Sequence, residues 1–258
     1  MDIHPYQAGE SAELLCIFLF EGESPLSPLV SEVSAALEHA LSLPQDPGKK
    51  GSLRVVPVPG APVRAMLLAG LGKRPESAAA QATAYRNRTA ECVRCASTLG
   101  FESIVAQFPG KPDAFLSRAV AEGAILGNYV FRRYWTTDSH PERTEITSFG
   151  LAGGDQDGLG RGVVSAEAQA FARDLVNEPG NVVTPLALAE RALVLAREGG
   201  LECTILDEGA IGTMGMNALL SVGRGSTNRP RLIHLVYRPD AEPRRRIALV
   251  GKTVTFDS

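Results

Sequence analysis

The sequence predicts an α/β fold with a largely parallel sheet. Strand-like apolar runs alternate with helix-like stretches through residues 1–151, and this alternation is typical of βαβ units. The longest apolar run, Leu14–Phe20 (LLCIFLF), has the length and continuity of a strand buried on both faces. Apolar residues make up 44% of the 258 residues, which is enough for a substantial core.

Each further element of the first half follows from a local pattern. Apolar residues at helical spacing predict a helix over 28–43, directly after the strand at 14–20. Short apolar runs predict the later strands, and an Ala-rich stretch and an apolar stripe predict the later helices. In chain order these are strands at 53–58 and 64–69, a helix at 76–99, a strand at 102–108, a helix at 115–134 and a strand at 145–151.

A Gly- and Asp-rich segment, 152–162 (AGGDQDGLGRG), interrupts the alternation and is the predicted linker. A helix over 164–176 follows and ends before Pro179, because proline cannot continue a helix. We therefore predict three parts. These are an N-terminal α/β domain (1–151), a linker with a connecting helix (152–180), and the incomplete start of a second α/β domain (181–258).

The second domain begins with a well-marked helix. Thr184 is a good N-cap, Pro185 suits the first helical position, and Gly199-Gly200 is expected to close the helix. His234 lies in an apolar run and is expected to be a buried core residue. Apolar runs predict three strands here, at 202–206, 231–237 and 246–250.

Composition excludes several classes of protein. The net charge of −3 and the pI near 5.9 argue against a dedicated nucleic-acid-binding protein. No apolar run approaches the roughly 18 residues of a membrane span. The cysteines are too few for a disulfide scaffold and indicate a reducing cytoplasm. Cys92 and Cys95 form a C-x-x-C on a predicted helix without a second pair, so we expect them to pack or face solvent as thiols.

The loop Gly70-Leu71-Gly72-Lys73 follows a predicted strand and precedes a predicted helix, where a phosphate-binding loop could form. It lacks the G-x-x-x-x-G-K-[ST] spacing and the third glycine of a dinucleotide fingerprint, so a tight turn is the favoured interpretation. A module that binds a nucleotide, or that serves only as an oligomerisation or scaffold domain, stays open as an alternative function.

The last ten residues, LVGKTVTFDS, run from an apolar strand into Gly251-Lys252 and reach Asp257 five residues after the lysine. A domain rarely ends on a strand followed by a polar loop, because strand groups would stay unpaired. We therefore expect this chain to be the front portion of a larger protein. If the chain turns between them, Lys252 and Asp257 can share a metal ion; a surface ion pair is the simpler alternative.

Three segments of the second half resemble, in order and spacing, motifs of the leucyl aminopeptidase (cytosol aminopeptidase) family. They are 174–185 (DLVNEPGNVVTP), 215–226 (GMNALLSVGRGS) and 250–258 (VGKTVTFDS). The loop 70–73 and the stretch 122–134 are also similar, so the resemblance extends over nearly the whole chain.

The resemblance implies a macro-domain-like N-terminal domain, a linking helix and a catalytic domain that holds two divalent ions, Mn or Zn. Lys252 and Asp257 match the family's first metal-binding lysine and aspartate, whereas Thr253 stands where glycine is usual. The family's other ligands and catalytic residues lie beyond Ser258, so no catalytic residue and no other cofactor-binding residue is assigned here. The resemblance also implies peptide substrates, a cytoplasmic location and a hexamer. We expect this chain alone to be inactive.

Overall fold

A computed structural model describes residues 1–7, 9–23, 29–136, 143–239 and 245–255. The chain divides into two compact units, Met1–Ala172 and Arg173–Ser258. Among the described residues, none of the helices has both the length and the apolar character needed to cross a bilayer.

The first unit is built on a six-stranded sheet with the order β1-β6-β5-β2-β4-β3. All neighbouring strands are parallel except β3 and β4, which are antiparallel. The strands are β1 (Asp2–Pro5), β2 (Leu14–Phe20), β3 (Leu53–Pro57), β4 (Ala65–Gly72), β5 (Ser103–Gln107) and β6 (Ser148–Leu151). The predicted α/β class with a mainly parallel sheet is therefore confirmed.

The helices of this unit are α1 (Ser34–Ser42), preceded by a short 3-10 turn at Ser31–Val33, then α2 (Ala78–Thr98), α3 (Ala114–Asn128) and α4 (Gln156–Asn177). The division between the two units falls inside α4. Serine and aspartate start the two long internal helices: Ser77 accepts a hydrogen bond from the Ala80 amide, and Asp113 accepts one from the Leu116 amide.

The central strand β2 divides the core into two apolar clusters, because successive side chains of a strand point to opposite faces. Phe18 and Phe20 belong to the cluster that contains residues of α2 and α3. Ile17 and Leu19 belong to the cluster that contains residues of α1. This burial on both faces explains why the strand reads as a continuous apolar run.

Close helix packing in the first unit depends on glycine. A Cβ at Gly123 of α3 would lie 2.2 Å from the Arg86 carbonyl oxygen of α2, and one at Gly127 would lie 2.7 Å from the Ala90 Cα. On α4, a Cβ at Gly158 would lie 2.2 Å from the Ala114 carbonyl oxygen of α3. The backbones of α2, α3 and α4 therefore approach one another more closely than any side chain would allow.

Some predicted boundaries differ from the structure. The helix predicted over 115–134 ends at Asn128, whose side-chain amide exchanges two hydrogen bonds with the backbone of Ile146. The helix predicted over 164–176 begins earlier, at Gln156, where Asp155 accepts a hydrogen bond from the Gly158 amide. Most of the Gly-rich segment predicted as a linker is thus helical. β1 was not predicted.

The second unit contains α5 (Pro185–Gly199), β7 (Glu202–Leu206), α6 (Glu208–Thr213), α7 (Asn217–Gly223) and β8 (Leu232–Val236). β7 and β8 form a two-stranded antiparallel sheet. The predicted caps of α5 are confirmed: Thr184 accepts a hydrogen bond from the Ala187 amide, and Gly200 is left-handed with φ of 65°. α6 and α7 were not predicted.

Two predictions for the second unit are wrong. The strand predicted over 246–250 is not formed, and residues 245–255 have no regular secondary structure. His234 is exposed rather than buried, because β8 pairs only with β7 among the described strands and His234 lies opposite Thr204, whose side chain is also exposed.

Candidate functional site

Lys252, the first predicted metal ligand, is exposed in the irregular segment 245–255. Asp257, the second predicted ligand, lies outside the described residues. In the part of the chain that the structure describes, no group of three or more His, Cys, Asp or Glu side chains could hold a metal ion. The described residues do not form a two-ion site by themselves, and metal binding by Lys252 and Asp257 stays a prediction.

Thr253, which replaces the glycine usual in the family, is not strained. No described residue other than glycine has a positive φ, so this β-branched residue avoids the left-handed region that would penalise it. A Cβ added at the neighbouring Gly251 would meet no heavy atom within 4 Å. The backbone around Lys252 is therefore open and unstrained.

The predicted loop Gly70–Lys73 is not a turn: residues 70–72 are the last three residues of β4, and only Lys73 follows the strand. The Gly70 amide donates to the Ser52 carbonyl at 2.9 Å, and the Gly72 amide donates to the Gly48 carbonyl at 2.8 Å. A Cβ at Gly70 would lie 2.0 Å from the Lys49 carbonyl oxygen. Both glycine amides are occupied by the protein's own backbone, which argues against a phosphate-binding loop. The predicted tight turn is wrong at residues 70–72, because these residues belong to a strand that pairs with β2.

Asp46 fixes the segment that covers the end of β4. Its carboxylate accepts hydrogen bonds from the Gly48 amide at 2.7 Å and from the Gly22 amide at 3.0 Å. Gly22 lies two residues after the end of β2, whereas Gly48 contacts the end of β4. The carboxyl ends of these two central strands are thus held together by Asp46 and the segment around it.

An ion pair lies at the same carboxyl end of the strands. Arg74 donates two hydrogen bonds to the Glu23 carboxylate, at 2.8 and 2.6 Å, and its guanidinium lies 4.1 Å from the centre of the Phe20 ring. The bond from Arg74 holds the pKa of Glu23 below its usual value. These contacts stabilise the ends of β2 and β4. They also pair the charges of Arg74 and Glu23 with each other, so that neither charge faces a ligand.

The cysteines are structural in this arrangement. All four are free, with Cys16 and Cys92 buried and Cys95 half-buried. Burial raises the pKa of Cys16 and of Cys95, so both remain protonated thiols, which are weak nucleophiles. The C-x-x-C of α2 is therefore suited to packing rather than to redox chemistry.

One polar network was missed by the sequence analysis. Glu122 of α3 is buried and accepts hydrogen bonds from Arg86 of α2 at 2.7 Å and from Arg118 at 2.9 Å. Arg118 also donates to Ser165 of α4 at 2.9 Å, beside an open groove between α3 and α4. A glutamate inside an apolar helix face was the available signal. The network links three helices, so we assign it a structural role.

Comparison with known proteins connects both units to one family. Residues 17–138 match the cytosol aminopeptidase family, N-terminal domain, and residues 170–258 match the cytosol aminopeptidase family, catalytic domain. A "Probable cytosol aminopeptidase" of Aquifex aeolicus is 42% identical over 260 residues, which cover 100% of this chain and 51% of that protein. One from Persephonella marina is 37% identical and is matched over 93% of this chain and 50% of its own length.

Solved structures show the same relationship. The bottromycin maturation enzyme BotP in complex with Mn has a TM-score of 0.69 and 26% identity, covering 89% of this chain and 46% of its own. A mutant of tomato leucine aminopeptidase has a TM-score of 0.71 at 24% identity, covering 95% and 52%, and supports the fold. This chain spans about half the length of these relatives. It belongs to the cytosol aminopeptidase family.

Proposed function

We propose that this chain is part of a metal-dependent aminopeptidase that releases N-terminal amino acids from peptides. In this reaction water adds across the first peptide bond and yields a free amino acid and a shortened peptide. The observation that carries the proposal is the match to both domains of the cytosol aminopeptidase family, in the order N-terminal then catalytic.

Two divalent ions, Mn or Zn, are the proposed cofactors of the intact protein. The Mn complex of BotP supports this choice. We propose Lys252 and Asp257 as two of the ligands, since a neutral lysine amine and a carboxylate both donate electron pairs to divalent metals. Bound ions of this kind polarise a scissile carbonyl and activate water. The other ligands are not among the described residues.

The first unit is proposed to be a non-catalytic scaffold. Its carboxyl edge, where parallel sheets usually bind ligands, is covered by the Asp46 segment and by the Arg74–Glu23 pair. We keep the predicted organisation into 1–151, 152–180 and 181–258 as a proposal. A hexameric, cytoplasmic protein is likewise proposed; the four free cysteines support a reducing compartment, and sedimentation of the intact protein would measure the assembly.

A chimera tests the activity. We expect this chain, fused to the part of the Aquifex aeolicus relative that it does not cover, to hydrolyse leucine p-nitroanilide in the presence of Mn²⁺. Lys252→Ala or Asp257→Ala should lower kcat at least 100-fold, because loss of a ligand disrupts a two-ion site. The matched control is Lys73→Ala, an exposed lysine of the first unit that should leave kcat unchanged.

The chain alone provides the second arm. We expect the purified 258-residue chain to show no turnover with Mn²⁺ or Zn²⁺, since two ligands do not fix two ions. Turnover by this chain that Lys252→Ala abolishes would contradict its proposed inactivity. A well-folded chimera without any peptidase activity would contradict the proposed function itself.

A further inference from the structure

The two outer strands of the six-stranded sheet differ in how they are protected. β1, at one edge, carries the polar side chains of Asp2 and His4, and such residues discourage the addition of a further strand. β3, at the opposite edge, carries Leu53 and Val55, which are each 39% exposed. The β3 edge is therefore the less protected of the two.

The backbone of β3 alternates between β4 and the outer edge. The Ser52 carbonyl accepts a hydrogen bond from the Gly70 amide of β4, so the even-numbered residues of β3 bond toward β4. The amides and carbonyls of Leu53 and Val55 then point outward, together with the carbonyl of Pro57. Among the described strands, β4 alone pairs with β3. This edge thus presents the donors and acceptors of an open ladder.

The arginine of β3 does not shield the edge. The Arg54 guanidinium donates a hydrogen bond to the Ala40 carbonyl of α1, on one face of the sheet. Leu53 and Val55 lie on the other face, because their β4 partners belong to the core cluster that contains residues of α2. A strand added beside β3 would find apolar side chains next to it on that face.

Two lysines precede β3 closely. Lys49 and Lys50 are exposed in the turn that leads into the strand. The acidic residue before them, Asp46, is bonded to two backbone amides instead. An antiparallel neighbour of β3 would run past Leu53 toward this turn, so its C-terminal residues would meet both positive charges. The edge therefore suits a strand that ends in acidic residues.

We propose that the outer edge of β3 binds an extended segment of a partner protein, antiparallel to β3. The segment carries apolar residues at alternate positions, which contact Leu53 and Val55, and acidic residues at its C-terminal end, which contact Lys49 and Lys50. In this mode of recognition the main-chain hydrogen bonds supply affinity, and the side chains set the sequence preference.

A second copy of this chain fits the edge less well. If β3 paired antiparallel with itself, residues 57–62 (PVPGAP) of the other copy would lie beside the two lysines. This stretch has no acidic side chain, and its prolines have no amide to donate. The charge of the turn favours an acidic partner instead.

The test uses the 258-residue chain and a fluorescein-labelled probe peptide, GTVTVTVDDE, in fluorescence anisotropy. We expect saturable binding with a dissociation constant on the order of 100 µM or below. Two further probes are N-methylated, one at the threonines and the other at the valines. Only one of these sets directs its N–H groups at β3, so one probe should bind at least about tenfold more weakly and the other within about twofold of the parent.

Protein variants and a neutral probe test the charges. Lys50→Glu should weaken binding of the acidic probe about tenfold, because repulsion replaces attraction. The matched control is Lys111→Glu, which makes the same charge change at an exposed lysine beyond the end of β5 and should have little effect. Both lysines are exposed, so both variants should fold. The neutral probe GTVTVTVNNQ should bind the unchanged chain about tenfold more weakly than the acidic one.

Four results would overturn the proposal. The first is no saturable binding up to about 1 mM probe. The second is an equal effect of the two N-methylated probes, and the third is equal binding of the acidic and neutral probes. The fourth is a dimer of the chain in sedimentation that Val55→Lys dissociates, since that assigns the edge to a second copy. These measurements involve neither metal nor turnover, so their outcome is independent of the proposed aminopeptidase activity.

Discussion

The two units differ in how completely their strands are enclosed. In the first unit every residue of β2 and β4 is buried, because strands flank both edges and helices cover both faces. In the second unit no residue of β7 or β8 is buried, and α7 buries none of its residues. A strand-forming sequence therefore becomes a core element only when it has neighbours on two edges and two faces.

The largest test of this contrast removes one core ring. Phe18, 1% exposed, stacks on Phe108 with ring centres 3.9 Å apart. We expect Phe18→Ala to lower the free energy of unfolding by about 3–5 kcal/mol through a cavity and lost apolar burial. Val222→Ala in α7, at a side chain that is 63% exposed, should change it by less than about 0.5 kcal/mol. Urea unfolding followed by circular dichroism measures both.

A similar cost for these two substitutions would show that the second unit is as tightly packed as the first. The difference in burial between the two units would then not correspond to a difference in the free energy of unfolding.

A second test adds volume instead of removing it. Gly158→Ala should destabilise the first unit by about 1–3 kcal/mol, because the new methyl group overlaps the Ala114 carbonyl of α3. Gly160→Ala, two residues along the same helix, meets no heavy atom within 4 Å and should stabilise by up to about 1 kcal/mol through better helix propensity. Thermal unfolding of the two variants measures both effects. Equal shifts in Tm would refute the close packing of α4 against α3.

The smallest test uses pH. The Glu102 amide, and then Arg64, hold the pKa of Glu13 below its usual value of 4.5. A lowered pKa stabilises the folded state above the unfolded-state pKa, and this stability is lost as the pH falls through the folded-state pKa. Wild type should therefore lose up to about 1 kcal/mol more than Glu13→Gln between pH 6 and pH 3.

The second unit supplies the comparison for that experiment. Arg238 lowers the pKa of Glu202, but both side chains are exposed. Its effect should disappear in 0.5 M NaCl, because salt screens exposed charges. Two results would reverse the contrast between the units. One is an acid sensitivity of Tm from Glu202 that persists in high salt, and the other is an acid sensitivity of Tm from Glu13 that vanishes in high salt.

Local chemistry made much of the fold predictable. The bounds of β2 and β7 were predicted as the structure has them, because each is a short stretch of strand-forming residues between polar or glycine-rich segments. The start of α5 followed from Thr184-Pro185, whose cap geometry involves only neighbouring residues. Periodicity and capping are short-range signals, and a single sequence carries them in full.

Long-range contacts explain what was missed. β1 is a polar edge strand whose partner, β6, lies far along the chain. The glycines of α4 were interpreted as a linker. They are needed because α3 approaches closely, and the local sequence does not show that contact. For the candidate site, Lys252 could be identified as a motif residue, but a metal shell is assembled from distant parts of a protein. No local pattern reveals its geometry.

The glycine contacts between α2, α3 and α4 have a consequence for how the first unit opens. Where two helices touch through their backbones, neither can separate slightly and refill the gap with a different rotamer. α2, α3 and the first half of α4 should therefore open as one cooperative unit. In native-state hydrogen exchange, amides in the middle of these three helices would share a single opening free energy, well above that of amides in α7.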